Sequence, residues 1–441
     1  MPSDLAQDLS SLLGQEVTGL VRLSGGASRE TWAFDAGGRG LILQRQRSAE
    51  STATPMATEA AALRAAGAAG VAVPALVADA TDGVALGMPA FVVERRPGET
   101  IARRLLRDDQ YAAVRPRVAP RCGEILAGIH RVDPSGVPGL VASDPLDGMR
   151  DMLDRLGQPH PALELGLRWL EGRRPTSNGT TLVHGDFRTG NLLITAEDVE
   201  AVLDWELVHL GDPLEDLGWF CARAWRFGSD DRPAGGFGSR EELWAAYEAA
   251  GGHPVDPDAA RWWEVYGNLR WGVITVTQAS VHLLGITRSM ELAAIGRRTA
   301  ETEHDVLALI APDREPPAPT PVVAPPGAPH DRPTAVELAQ AIEEWLRGDL
   351  TEGTEGRLRF HARVAANAVA VLQRELVAGP SQAEAHRRRL DALEHADDAA
   401  LASAIRAGAF DDRFDELHTA LWGSVVDKLE VSNPGYAAGR P

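Results

Sequence analysis

Four side chains in one short region have the types and spacing for phosphoryl transfer. The segment LVHGDFRTGNLLI, residues 182–194, brings Asp186, Arg188 and Asn191 close together, and AVLDWE, residues 201–206, adds Asp204. Moving a phosphoryl group needs a carboxylate that orients and deprotonates the attacking hydroxyl. It also needs oxygen ligands for a divalent cation and a positive charge to offset the moving group. Asp186 suits the first role, Asn191 and Asp204 the second, and Arg188 the third. The apolar runs around them read as strands buried on both faces. Such strands do not usually finish on carboxylates unless those carboxylates act.

The residues around this set have plainer roles. His184 is expected to order the loop by hydrogen bonding, and Trp205 to pack in the core. Glu206 can support the metal site or pair with a cation. Asp212 and Asp216, in GDPLEDLG, are expected to anchor a loop and a helix start, and His130 is expected to be structural.

The Asp-x₄-Asn spacing matches the D-x-x-x-x-N of a protein-kinase catalytic loop. HGDFRTGNLLI, then VLDWE, then GDPLEDLGWF resembles the aminoglycoside-phosphotransferase-like kinases over roughly residues 15–310. That resemblance implies an α+β, two-lobed protein-kinase-like fold with a small β-rich N-lobe and a mainly helical C-lobe. It also implies ATP as donor, Mg²⁺ as cofactor and a small-molecule hydroxyl as acceptor. GGASRETW, LILQRQR and LDWELVHLGDP look most like the branch fused or linked to acyl-CoA dehydrogenases. The implied acceptor is then a hydroxyacyl-CoA, with an acyl-CoA dehydrogenase pathway partner. An aminoglycoside or other amino-alcohol is the alternative acceptor. A nucleotide-binding pseudokinase or scaffold is the alternative from another class.

The elements that must position these residues follow from pattern. Residues 4–14 read as a leading helix, and VTGLVRLSGG, ETWAFDA and GLILQRQ as three strands. An Ala-rich helix containing Glu59 comes next, then strands in VPALVADA and PAFVVERR, the last ending at a hinge-like Pro97-Gly98. The chain then reads as helical over 101–173, as strands over 181–205, and as helical again to about 311, including Asp258 to Ile310.

Nucleotide-side candidates sit in the first half. RLSGGASRETWAF lies where a phosphate-covering loop belongs. Gly25 and Gly26 allow close backbone approach there, and Ser28 can donate to a phosphate. The third strand of a kinase should carry a lysine that pairs phosphates with a helix glutamate. LILQRQ has none: Gln44 stands at the aligned position and Arg45 follows. Alternation points them to opposite faces, so one of the two meets the cleft, with Glu59 as the expected ion-pair partner. Glu94, at the end of the last strand, completes the nucleotide-binding set.

Bulk properties narrow the class. The chain has 441 residues, 44% of them hydrophobic, and a formal net charge of -19. Such acidity argues against nucleic acid and against anionic membranes as partners. Cys122 and Cys221 are too few for a disulfide framework and fit a reducing cytoplasm. The start, MPSDLAQDLSSLLG, is expected to carry no signal peptide, and no apolar run is long enough to span a bilayer. The expected division is a nucleotide-binding N-lobe over 1–96 and a catalytic, acceptor-binding C-lobe over 97–311. A Pro-rich linker over 312–332 and a helical accessory domain over 333–441 complete it. In the last, Arg357, Arg359, His361 and Arg363 and the run 387–389 can meet CoA phosphates or form a solvated face balanced by nearby glutamates. This domain resembles an uncharacterised module that accompanies the same branch.

Overall fold

A computed structural model describes residues 2–23, 29–47, 54–323 and 332–439. The chain forms two compact units: Met1–Asp144 with Pro175–Glu264, and Pro145–Arg174 with Val265–Pro441.

The first unit opens with helix α1 (Pro2–Leu13) and an antiparallel sheet. Its strands are β1 (Val17–Arg22), β2 (Arg29–Ala36), β3 (Arg39–Gln46), β4 (Leu76–Ala80) and β5 (Ala90–Glu94), in the order β1-β2-β3-β5-β4. Helix α2 (Met56–Ala68) connects β3 to β4. Residue alternation splits the sheet into two faces. Phe34, Leu41, Leu43, Ala90 and Val92 share one face and pack on Leu5 and Leu9 of α1. The β2–β3 hairpin closes at the Ala36–Arg39 pair through Gly37 and Gly38, at φ 56° and 74°. Two consecutive positive φ values fit the right-handed twist of a two-residue hairpin, and glycine tolerates both.

After the sheet come α3 (Ala102–Arg107) and α4 (Arg115–His130), then α5 (Met149–Leu156) and α6 (Pro161–Gly172), which belong to the second unit. The chain returns to the first unit with β6 (Thr181–Val183), β7 (Leu192–Ile194), β8 (Val199–Val202) and β9 (His209–Gly211). β6 pairs with β9 and β7 with β8, both antiparallel. Helices α7 (Leu214–Cys221) and α8 (Arg240–Ala249) follow, and α4 packs against α8 with Gly123 at the contact. The expected kinase-like fold, with a β-rich N-terminal part and a helical part beyond it, is the fold observed.

The stretch expected to be helical from Asp258 to Ile310 is interrupted. Helix α9 (Pro257–Leu283) stops, α10 (Met290–Ile295) is short, and α11 (Thr299–Ile310) resumes. Gly285, at φ 74°, turns the chain out of the first helix, and the Ser289 hydroxyl caps the second. α12 (Ala335–Trp345), α13 (Gly356–Ala392), α14 (Asp398–Arg406) and α15 (Phe414–Ser432) complete the second unit.

In this unit α6 packs on α14, and α11 on α15. The contact centres on Glu303, which is 1% exposed and lies 2.9 Å from His160 Nδ1 and 3.0 Å from Lys428 Nζ. Burial alone would raise its pKa, but those two partners outweigh it and bring the carboxyl down to about 2. The Thr320 backbone N–H and hydroxyl both donate to Asp427, at 2.7 Å each. Arg389 also pairs with Asp427, at 2.7 Å, and Arg387 pairs with Glu384. Among the described residues no helix is long and apolar enough to cross a membrane.

Candidate active site

The loop between β6 and β7 is held from below. Asp216, fully buried on α7, accepts the backbone N–H groups of His184 and Gly185, at 2.8 and 2.9 Å. Its carboxylate also lies 3.2 Å from His130 Nε2, and His130 Nδ1 lies 2.9 Å from the Tyr247 hydroxyl. The Asp186 backbone N–H donates to His184 Nδ1 at 3.1 Å, so Nε2 carries the ring proton and donates to the Leu203 carbonyl at 3.1 Å. Burial holds the His184 pKa below its ordinary value and keeps the ring neutral. Gly185 sits at φ 78°, where a Cβ would meet the Leu207 carbonyl oxygen at 2.4 Å. Only glycine fits beside Asp186.

On this frame the Asp186 carboxylate receives three side-chain donors. Arg188 Nε lies 3.1 Å from both oxygens, Asn191 Nδ2 donates to Oδ2 at 2.7 Å, and Trp219 Nε1 donates to Oδ1 at 2.9 Å. Trp219 was not among the expected site residues. It stands three positions after Asp216 on α7, so both project from one helix face toward the loop. That i, i+3 spacing in GDPLEDLGWF was the available signal. The Arg188 guanidinium also lies over the Trp225 ring, 5.0 Å from its centroid.

Asp204 follows β8 in a left-handed conformation, φ 65°, rare for a residue other than glycine. Burial, helped by repulsion from Glu206 and Asp186, raises its pKa to about 6. Asp186, Asp204, Glu206 and Glu59 thus share one corner with two guanidiniums, Arg188 and Arg29. This excess of negative charge suits a divalent cation. Asn191 turns its amide NH₂ to Asp186, so its side-chain oxygen is the atom that could ligate a cation. Among the described residues no group of three or more His, Cys, Asp or Glu is arranged to hold a metal ion. A Mg²⁺ carried in on a nucleotide would not need one, because such an ion takes only one or two protein carboxylates beside the phosphates.

The nucleotide side departs from expectation in its ion pair. Glu59, 1% exposed on α2, pairs at 2.7 Å with Arg29 of β2, not with β3. Arg29 Nε also lies 3.4 Å from Glu206. The register explains the change. Gln44 pairs with Thr31, two residues along β2 from Arg29, and so shares the Arg29 face. Arg45 pairs with Glu30, 3.8 Å away in an ion pair, on the opposite face with Leu43 and α1. Burial raises the Glu59 pKa to about 7, since Arg29 only partly compensates and Asp204 and Glu206 add repulsion. Glu94 aligns with Leu41, on the face away from Gln44, and its carboxylate lies 3.8 Å from Arg96. Gly25, Gly26 and Ser28 lie outside the described residues. The structure therefore brings Asp186, Arg188, Asn191, Asp204 and Glu59 together and leaves Arg45 and the Glu94 side chain on another face.

Comparison with known proteins adds independent findings. The phosphotransferase enzyme family (APH) matches residues 19–253, more than half of the chain, and a domain of unknown function, DUF6285, matches residues 352–436. Acyl-CoA dehydrogenase family member 10 of Mus musculus is 30% identical over 245 residues, 50% of this chain and 22% of that protein. Acyl-CoA dehydrogenase family member 11 of Homo sapiens is 42% identical over 66 residues, 14% of this chain and 8% of that protein. The chain thus spans less than a quarter of the length of these curated relatives. Among solved structures, a Ralstonia eutropha protein assigned as an aminoglycoside phosphotransferase superposes with a TM-score of 0.54 at 20% identity. That match covers 68% of this chain and 95% of the other, a likeness of fold.

Proposed function

The chain belongs to the phosphotransferase enzyme family, and from that premise we propose that it transfers the γ-phosphoryl group of ATP to a hydroxyl of a small-molecule acceptor, first of all a hydroxyacyl-CoA. The observation that carries the reading is the Asp186 carboxylate, fixed by Arg188, Asn191 and Trp219 and set beside Asp204. A carboxylate has about four lone-pair sites, and the Arg188 N–H, shared at 3.1 Å between both oxygens, is the bond that an acceptor hydroxyl would displace. With that site freed, Asp186 accepts the acceptor hydroxyl, aligns it and takes its proton. Arg188 offsets charge on the transferring group while Trp225 supports its plane. Asp204 and the Asn191 oxygen would hold Mg²⁺, whose chemistry is to neutralise the nucleotide phosphates. Residues 1–96 serve the nucleotide and 97–311 the chemistry and the acceptor. Residues 312–332 link these to the helical accessory domain, 333–441.

The acceptor class draws on the relatives, which are named as acyl-CoA dehydrogenase family members 10 and 11. The test is transfer from [γ-³²P]ATP across hydroxyacyl-CoAs, aminoglycosides and small amino-alcohols, with Mg²⁺ and without. Label on a hydroxyacyl-CoA, lost in Asp186→Asn, supports the whole reading. Label on an aminoglycoside alone would retain the transfer and replace the acceptor. No label on any acceptor would favour a nucleotide-binding scaffold.

A further inference from the structure

A kinase sheet without a lysine on its third strand needs another cation for the nucleotide phosphates. Among the described residues of β2, β3 and β5, one cation stands on the face that meets Glu59, and it is Arg29. We propose that Arg29 supplies the phosphate-anchoring charge from β2, in place of a β3 lysine, and ties the metal-binding turn to α2. This deepens the phosphotransferase reading and rests on ATP being the donor.

Three observations carry it. Arg29 is the first residue of β2, directly after the Gly-rich segment that reads as a phosphate-covering loop. Its side chain, 6% exposed, engages Glu59 of α2 through Nη2 and Glu206, two residues past Asp204, through Nε. Among the described residues that leaves Nη1, with two of the five N–H donors of a guanidinium, to meet an anion. Glu59 and Glu206 hold the guanidinium from two sides, so its fork is fixed in one orientation before a phosphate arrives. Arg45 cannot do this, because its register places it beside Glu30 on the other face.

The experiment is calorimetric titration of the full chain with Mg-ATP and, separately, with adenosine. Arg29→Gln should weaken Mg-ATP about ten- to hundredfold, the size of one lost charge-assisted hydrogen bond, and leave adenosine within twofold. Adding Gln44→Lys to Arg29→Gln should recover much of the ATP affinity, because position 44 shares the face. Arg64→Gln, which breaks an exposed pair with Asp79, controls for the loss of any arginine from this region and should change neither titration. A merely structural Arg29 would weaken both ligands alike, and that result, or no change in either, overturns the proposal. Arg45→Gln losing ATP affinity while Arg29→Gln keeps it would do the same. Should Arg29→Gln fail to fold, Arg29→Lys decides. It keeps the charge and loses the fork, so ATP should weaken severalfold with adenosine unchanged, and an equal loss of both again overturns it. A wild-type chain that binds no Mg-ATP removes the donor reading itself, whereas wild-type binding matched by Arg29→Gln removes only the role of Arg29.

Discussion

Glu59 and Glu303 are equally buried, each 1% exposed, yet their protons behave in opposite ways. Glu59, in the first unit, has one cation and two repelling carboxylates nearby, and its pKa rises to about 7. Glu303, in the second unit, has Lys428 and His160 in hydrogen-bonding positions, and its pKa falls to about 2. Burial is common to both, so partners decide the sign. The difference separates a scaffold whose charges are matched from a candidate site whose charges are left short. A site proposed to receive Mg²⁺ and phosphates is expected to be incomplete without them.

If that contrast holds, changes in the first unit should cost activity and changes in the second should cost stability. Asp204→Ala should bring Mg²⁺-dependent turnover to the assay background, about 10³-fold or more, with an unfolding midpoint equal to or above that of the parent. Near-normal turnover would remove Asp204 from the metal. Asn191→Ala, which deletes a neutral ligand, should lose less. Asp186→Asn should lower kcat by about 10²–10⁴-fold, with Mg-ATP affinity little changed in a parallel titration. An enzyme that kept its kcat, or that lost only nucleotide binding, would end the role given to Asp186.

The pH dependence tests the contrast directly. A raised folded-state pKa stabilises the fold fully below the unfolded value and loses that contribution as pH rises through the folded value. Glu59 should therefore add about 3 kcal/mol to the first unit near pH 4, lost by about pH 8. Glu303 runs the other way, with its contribution present above about pH 5 and lost as pH falls toward 2. Thermal melts of the ligand-free chain from pH 5 to 8 should decline less steeply in Glu59→Gln. An unchanged slope would mean that Arg29 keeps Glu59 ionised. The smallest effect is Lys428→Met. It leaves Glu303 with His160 alone and should reduce unfolding free energy by about 1–2 kcal/mol, discounted because Lys428 is half-exposed. Its turnover should match that of the parent.

How far the sequence reaches depends on distance along the chain. Asp186, Arg188 and Asn191 lie in one loop, and Asp204 ends the next hairpin, so local spacing was enough to group them. The sheet was legible because alternation with Gly-Gly punctuation is a local signal too. The Arg29–Glu206 contact joins residues 177 apart, and the Trp219–Asp186 bond spans 33. Nothing in a linear pattern brings those together. The choice between Gln44 and Arg45 had the same character. Alternation said that they face apart, and only the register against β2, with α1 on the far face, says which is which. The break at Gly285 was missed for a different reason. LLGIT is apolar enough to continue a helical pattern, and a single glycine does not by itself end one.

The backbone at Asp204 has a consequence for anyone breeding a sturdier version of this protein. Its φ of 65° is a conformation that glycine adopts freely and an aspartate holds at a cost of about 1 kcal/mol. Its carboxylate is also crowded by Glu206 and Asp186. Selection of variants for heat resistance alone should thus favour Asp204→Gly, relaxing the chain and relieving the repulsion in one step. The winners of such a screen would be robust and inert, because the residue under tension is the one proposed to hold the metal.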